Sequence, residues 1–436
     1  MEYRRILSEY EYAELRLEKS SGSFISIKDD EVKHSSGTVE GVSVRVLSDG
    51  SWGFASATKG RKSIEDLLRE AKRLSALGKG KISLAEMPVQ NREVRSAITP
   101  VDPDEQVRAL LEASKGMKAD KVSSRILSCT DSLTSREFYN SEGTEIIQDT
   151  GYTYLSCACV SRSGDTMQRG SSRTWSRSGF GGIDASSTAL VSTEKALRLL
   201  DAAPPPKGRF TVVLDPEMTG VFAHEAVGHA CEADSVIDHE SILSDKMGKR
   251  IGNGLVSIID DPAAQDFGQY AFDDEGVPGK ATTLVEAGVL KGFLNSRESA
   301  NELASEPNGH ARAEDYGEVP VVRMSNTYFQ KGKTPKEEVF DIQSGIYLKG
   351  MKGGSVDIFS GGFMFKSEEA YEITKGGLGR IMRDVTITGN ILQTMLDVEC
   401  VGDDFGTSPG VCGKSSQSVP VSDGGPHIRV KNVAIG

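Results

Sequence analysis

Between residues 12 and 58 apolar side chains recur at every second position, as in Ala13, Leu15 and Leu17 and again in Val42, Val44 and Val46. A period of two sets one face of an extended chain against a core, so the stretch predicts an antiparallel meander with turns such as Ser48-Asp49-Gly50. The period then lengthens. Ile64, Leu67, Leu68, Ala71 and Leu74 fall on one helical face, behind Ser63 as N-cap, with Glu65 and Asp66 in the first turn and Gly78 beyond the end. Together these elements predict a first α+β unit over residues 1–90.

A second unit repeats the plan. Asp102-Pro103-Asp104-Glu105 opens a helix, strand patterns return from Val122 to Arg177 around turns at 140–143 and 163–165, and a helix near Thr188–Leu200 closes a middle α+β domain over 100–203. The run Ala202-Ala203-Pro204-Pro205-Pro206-Lys207-Gly208 marks a boundary, because proline lacks an amide donor and restricts its predecessor. Phe210–Asp215 then predicts a buried strand, followed by a short helix at about 217–230 and a long series of glycine-rich strands. The expected architecture is α+β: two units of antiparallel sheet with helices, then a mostly β C-terminal domain over 208–436 that carries the chemistry.

Composition narrows the function. A chain of 436 residues exceeds one core, and 47 glycines against 15 prolines favour tight turns over disorder. The net charge of −12 repels polyanions and excludes general nucleic-acid binding. Met1-Glu2-Tyr3-Arg4-Arg5 is charged where a secretory leader would be apolar, and no stretch is long enough for a membrane-spanning helix, so a cytoplasmic location is expected. There the six cysteines, at 129, 157, 159, 231, 400 and 412, remain thiols. Cys157 and Cys159 alternate on a strand without a second pair at zinc-site spacing, which predicts burial.

Histidine is scarce, with six in the chain, yet two lie in His224-Glu225-Ala226-Val227-Gly228-His229. Zinc peptidases commonly space such histidines four apart on one helix face, with the glutamate as general base. A spacing of five puts the rings roughly 140° apart on an ideal α-helix, whereas a π-type turn reduces the offset to roughly 50°. A shared metal therefore predicts a distorted turn at 226–229, made easier by Gly228.

Two histidines leave a catalytic zinc site one ligand short. Glu232, three residues past His229, could share its face; Cys231 would point away; Cys412 stands far downstream in a glycine-flanked segment read as a loop. Spacing does not choose among them. Glu232 and Asp234 read most simply as solvated or helix-end carboxylates, and next as partners orienting an imidazole, and are left unassigned. His239, His310 and His427 read as surface or structural residues, and Tyr152, Tyr154 and Trp175 as sheet packing.

Nearly the whole chain resembles the TldD/PmbA family of metallopeptidases, in its metal-bearing TldD-type branch. The residues that carry the likeness are 224–229 with Glu232-Ala233-Asp234, then Asp273-Asp274-Glu275-Gly276-Val277-Pro278 leading to 286–290, then Arg323-Met324-Ser325-Asn326-Thr327-Tyr328, and Cys412-Gly413-Lys414 with Gln417 and 419–421. His310, within 308–312, departs from the expected segment. The resemblance implies His224, His229 and Cys412 as metal ligands and Glu225 as catalytic base. It also implies one Zn²⁺, with iron as the alternative ion, and a PmbA-type partner subunit or a homodimer. The expected activity is hydrolysis of unfolded or short peptides. The competing readings are a peptide-binding regulatory subunit with a structural metal and a metal hydrolase acting on a non-peptide amide.

Overall fold

The computed structural model describes residues 2–96, 98 and 101–436. Met1 and Pro100, where the first two expected units begin, lie outside the described residues. Helix α1 (Glu2–Leu7) precedes strands β1 (Tyr12–Lys28), β2 (Glu31–Ser48) and β3 (Ser51–Thr58) and helix α2 (Ile64–Ser75). Next come β4 (Asn91–Val94), α3 (Pro103–Gly116), β5 (Val122–Asn140), β6 (Glu145–Ser163), β7 (Thr166–Ser176) and α4 (Ala185–Leu200). Ser63 caps α2 by accepting from the Asp66 amide at 3.1 Å, and Asp102 and Asp184 cap α3 and α4 in the same way.

Strands from both expected units join in one sheet, in the order β3-β2-β1-β5-β6-β4, with β7 also on β6. Each unit keeps its own apolar cluster on the same face. Leu15, Val44, Leu67 and Ala71 meet under α2, while Ile27, Leu127, Leu155, Leu110 and Ala189 meet under α3 and α4. Cys157 and Cys159 are buried in that second cluster.

Alternation sends Glu14, Arg16 and Glu18 to the opposite face. That face is buried too, against the C-terminal domain. Arg45 bridges Glu14 at 2.7 Å and Glu275 at 2.9 Å, and Arg136 bridges Glu18 at 2.8 Å and Asp274 at 2.9 Å. Such pairs roughly offset their own desolvation, so their main effect is to fix how the sheet seats on the domain.

The helix layer presses closely on the sheet at Gly53. A Cβ there would stand 1.8 Å from the Ala71 carbonyl oxygen and 2.7 Å from the Ser75 nitrogen. Gly53→Ala is therefore expected to push α2 outward and cost about 1–3 kcal/mol, read as a lower urea midpoint at unchanged slope.

In the C-terminal domain, β8 (Gly208–Leu214) belongs to a ring of five strands. It runs parallel to Ser344–Asp357 and antiparallel to Ile428–Ile435; Thr386–Asn390 and Gly362–Thr374 continue the ring, and the last closes on Ser344–Asp357. Helix α5 (Pro216–Val221) and the turn after it plug this ring. Met218 and Phe222 meet Val212, Leu214, Phe365 and Val430 around a small void, and Phe222 packs edge-on against Phe363.

A second sheet orders Val289–Leu290, Thr282–Glu286, Ile258–Asp260, Asn326–Phe329, Gln417–Gly425 and Gly406–Lys414. The last two form a hairpin in which Cys412 faces Val419. Cys412 thus lies in a strand, not in the expected loop, and the strand sits at the sheet edge, where Pro409 can do without an amide donor. Among the described residues no helix is long and apolar enough to cross a membrane.

Candidate metal centre

Asp215 caps α5 by accepting from the Met218 amide at 2.8 Å, and the helix then widens. Residues Phe222–Gly228 form a π-helix, in which the His229 amide bonds the His224 carbonyl five residues back, before a 3₁₀ turn at His229–Cys231. This is the distortion that the five-residue spacing called for. The two imidazoles stand with centroids 5.3 Å apart and planes at 89°.

Gly228 takes ordinary helical angles, φ −57° and ψ −56°. Backbone freedom is therefore not its role. A Cβ at Gly228 would meet the Met324 sulfur at 2.1 Å, so the glycine makes room for the neighbouring segment.

The hairpin delivers Cys412 to this turn, and one ligand atom from each of His224, His229 and Cys412 lies within 4.8 Å of the others. Cys412 Sγ is 3.6 Å from His229 Nε2. Nitrogen and sulfur bound to one tetrahedral zinc at about 2.0 and 2.3 Å would be roughly 3.6 Å apart, so the His229–Cys412 pair has the spacing, and the three donors together the softness, that this ion takes. Arg323, fully buried, donates to the Cys412 and Gln417 carbonyls and so holds both arms of the hairpin.

Electrostatics prepare the sulfur for a cation. Burial alone would raise the Cys412 thiol, but hydrogen bonds and charge from His224 and His229 bring it down to about 5. Burial likewise opposes charge on His229, yet Glu232 and Cys412 outweigh it and hold that imidazole well above its ordinary value. Glu225, next to His224 and half-buried, reaches 3.9 Å from His229 Nε2. It lies beside the three clustered ligands without belonging to their group.

Glu232, left open between two roles in the sequence, is buried and 3.0 Å from His229 Nδ1. Lys414, two residues past Cys412 on the same strand, holds Glu232 at 3.1 Å and Asp234 at 2.7 Å. A carboxylate on the second ring nitrogen fixes tautomer and orientation, so Glu232→Gln should weaken metal affinity about 10–100-fold in chelator competition. Sequence spacing hinted at Glu232, whereas Lys414 stood in the Cys412-Gly413-Lys414 segment without a role assigned to it. Cys231 is buried away from the group, and burial pushes its thiol upward.

Other expected residues lie elsewhere. His310 is fully buried, with Nε2 2.9 Å from Asp260 and Nδ1 2.9 Å from Asn308, a structural role. His427 pairs with Asp404 at 2.6 Å, and His239 is exposed. Tyr152, Tyr154 and Trp175 pack around Phe267.

A widened helix turn and an edge strand thus bring two imidazoles and a thiol into one group that could hold a metal ion. Residues 13–75, 97–200 and 207–436 match domain 1, the central domain and the C-terminal domain of the PmbA/TldA metallopeptidases, and the chain belongs to this PmbA/TldD family. It is 42% identical to a metalloprotease of Methanothermobacter thermautotrophicus over 98% of this chain and 95% of that protein. The zinc metalloprotease TldD homolog of Saccharolobus solfataricus is 31% identical over 98% of this chain and 96% of that protein. TldE from Thermococcus kodakarensis superposes with a TM-score of 0.81 at 18% identity, covering 100% of this chain and 99% of that one, which shows the fold. Membership places the chain among metal-dependent peptidases in general.

Proposed function

We propose that the protein is a zinc-dependent peptidase that hydrolyses unfolded or short peptides, with His224, His229 and Cys412 holding the ion and Glu225 as general base. The convergence of those three ligand atoms beside a half-buried glutamate carries this reading. When bound, zinc supplies Lewis acidity, lowering the pKa of water and polarising the scissile carbonyl. Glu225 takes a proton from the attacking water as its oxygen bonds the carbonyl carbon. It then returns that proton to the amine nitrogen as the C–N bond breaks. Glu232 and Lys414 keep His229 oriented throughout.

The strand that carries Cys412 lies at a sheet edge, which suits an extended peptide added as a further strand and gripped mainly through its backbone. Broad specificity follows from such a grip. In this reading the assembly pairs the chain with a PmbA-type subunit or a second copy, and the location is the cytoplasm. The test is hydrolysis of chemically varied unstructured peptides by the zinc-loaded protein, lost on chelation and restored by zinc. Equal cleavage of folded proteins, or turnover indifferent to chelation, would reject the proposal.

A further inference from the structure

The second ring nitrogens of the two histidines are held differently. Glu232 contacts His229 Nδ1, but His224 Nδ1 is buried with no hydrogen-bond partner among the described residues. Asp423 has the complementary deficit: its Oδ1 is also buried and also without a partner. Buried polar atoms are rarely left so; Thr219 Oγ1 and Glu232 Oε1 share the lack, but among these four the His224 nitrogen and the Asp423 oxygen are a matched ring nitrogen and carboxylate.

The fold brings them to one place. Gly220, four residues before His224, lies so close to the strand Gln417–Gly425 that a Cβ on it would come 2.3 Å from the Gly424 nitrogen and 2.8 Å from the Asp423 carbonyl carbon. Along that strand Val419, Val421 and Asp423 alternate onto one face. Val419 is the register partner of Cys412, and Val419, Val421 and Cys412 share one buried cluster. Asp423 therefore projects from the face on which Cys412 meets the histidines. The nearby cation Arg173 is already engaged by Glu217.

We propose that Asp423 is a positioning residue for His224, accepting its Nδ1 proton when Nε2 carries the metal, the same service that Glu232 performs for His229. The inference rests on the zinc reading above. A carboxylate there would fix the ring and raise its basicity as a ligand. One hairpin would then supply the sulfur through Cys412, the clamp on Glu232 through Lys414, and the partner of His224 through Asp423.

Zinc affinity measured by competition with a chromophoric chelator tests this without reference to activity. Asp423→Ala should bind zinc about 10–100-fold more weakly, and Asp423→Asn, which keeps the shape but not the charge, about tenfold more weakly. Thermal unfolding of the metal-free Asn variant should match that of the wild type, which a merely structural residue would not allow alongside lost affinity. In the cobalt(II) form the sulfur-to-metal charge-transfer band should persist while the ligand-field bands shift. If the Ala variant does not fold, the Asn variant decides. Affinities within about twofold of wild type overturn the role of Asp423 alone, provided that wild type binds tightly and Cys412→Ala does not. Failure of wild type to bind zinc overturns the metal reading with it.

Discussion

Glu225→Gln is expected to bind zinc at the wild-type stoichiometry and to hydrolyse peptides about 10²–10⁴-fold more slowly. Glutamine keeps the size and the hydrogen-bonding reach of the side chain but cannot take a proton from water. Glu225 sits outside the group of three clustered ligand atoms, so its replacement leaves His224, His229 and Cys412 in place. It is also half-buried, whereas Glu232 is engaged on the far nitrogen of His229 and Asp234 by Lys414. Metal analysis together with kcat on an unstructured peptide checks both halves of the expectation, and retained turnover would remove Glu225 from the mechanism. A structural metal with no hydrolytic role would show itself here as equal inactivity of wild type and variant.

Cys412→Ala is the second large effect, and it acts on the metal itself. Structural zinc sites release on the order of 10 kcal/mol on binding, so loss of one ligand in three forfeits roughly 3 kcal/mol, or a factor of 10² or more in affinity. The thiolate matters beyond its count. With its pKa brought down to about 5, the sulfur is already anionic near neutral pH and is the only anion among the three ligands. Its loss leaves two imidazoles and no anionic ligand, a set that holds a dication less well. Chelator competition on wild type, Cys412→Ala and Cys412→His separates the cases, with histidine expected to recover part of the affinity. Unchanged affinity in the alanine variant would sink the assignment.

Much of this was legible in the chain itself, and the reason is locality. The alternation of Leu15 and Leu17 or Val44 and Val46 and the helix starts at Ser63 and Asp102 are decided within a few residues, by backbone geometry and nearby hydrogen bonds. So was the widened turn, because two imidazoles five residues apart can face one ion only if the helix departs from its ordinary pitch. The value of Gly228 was misread in kind: the backbone there is unstrained, and what the position demands is space for Met324.

What only the tertiary structure decided are proximities between distant segments. Alternation alone would have turned Glu14, Arg16 and Glu18 to solvent, yet the C-terminal domain covers that face and pairs its charges. The nearness of Cys412 to the two histidines, the clamp of Lys414 on Glu232 and the place of Asp423 all depend on the register of one edge hairpin and on where it meets the plugged barrel. Side-chain periodicity is written in short stretches of sequence, whereas register and docking are settled by packing summed over the whole chain.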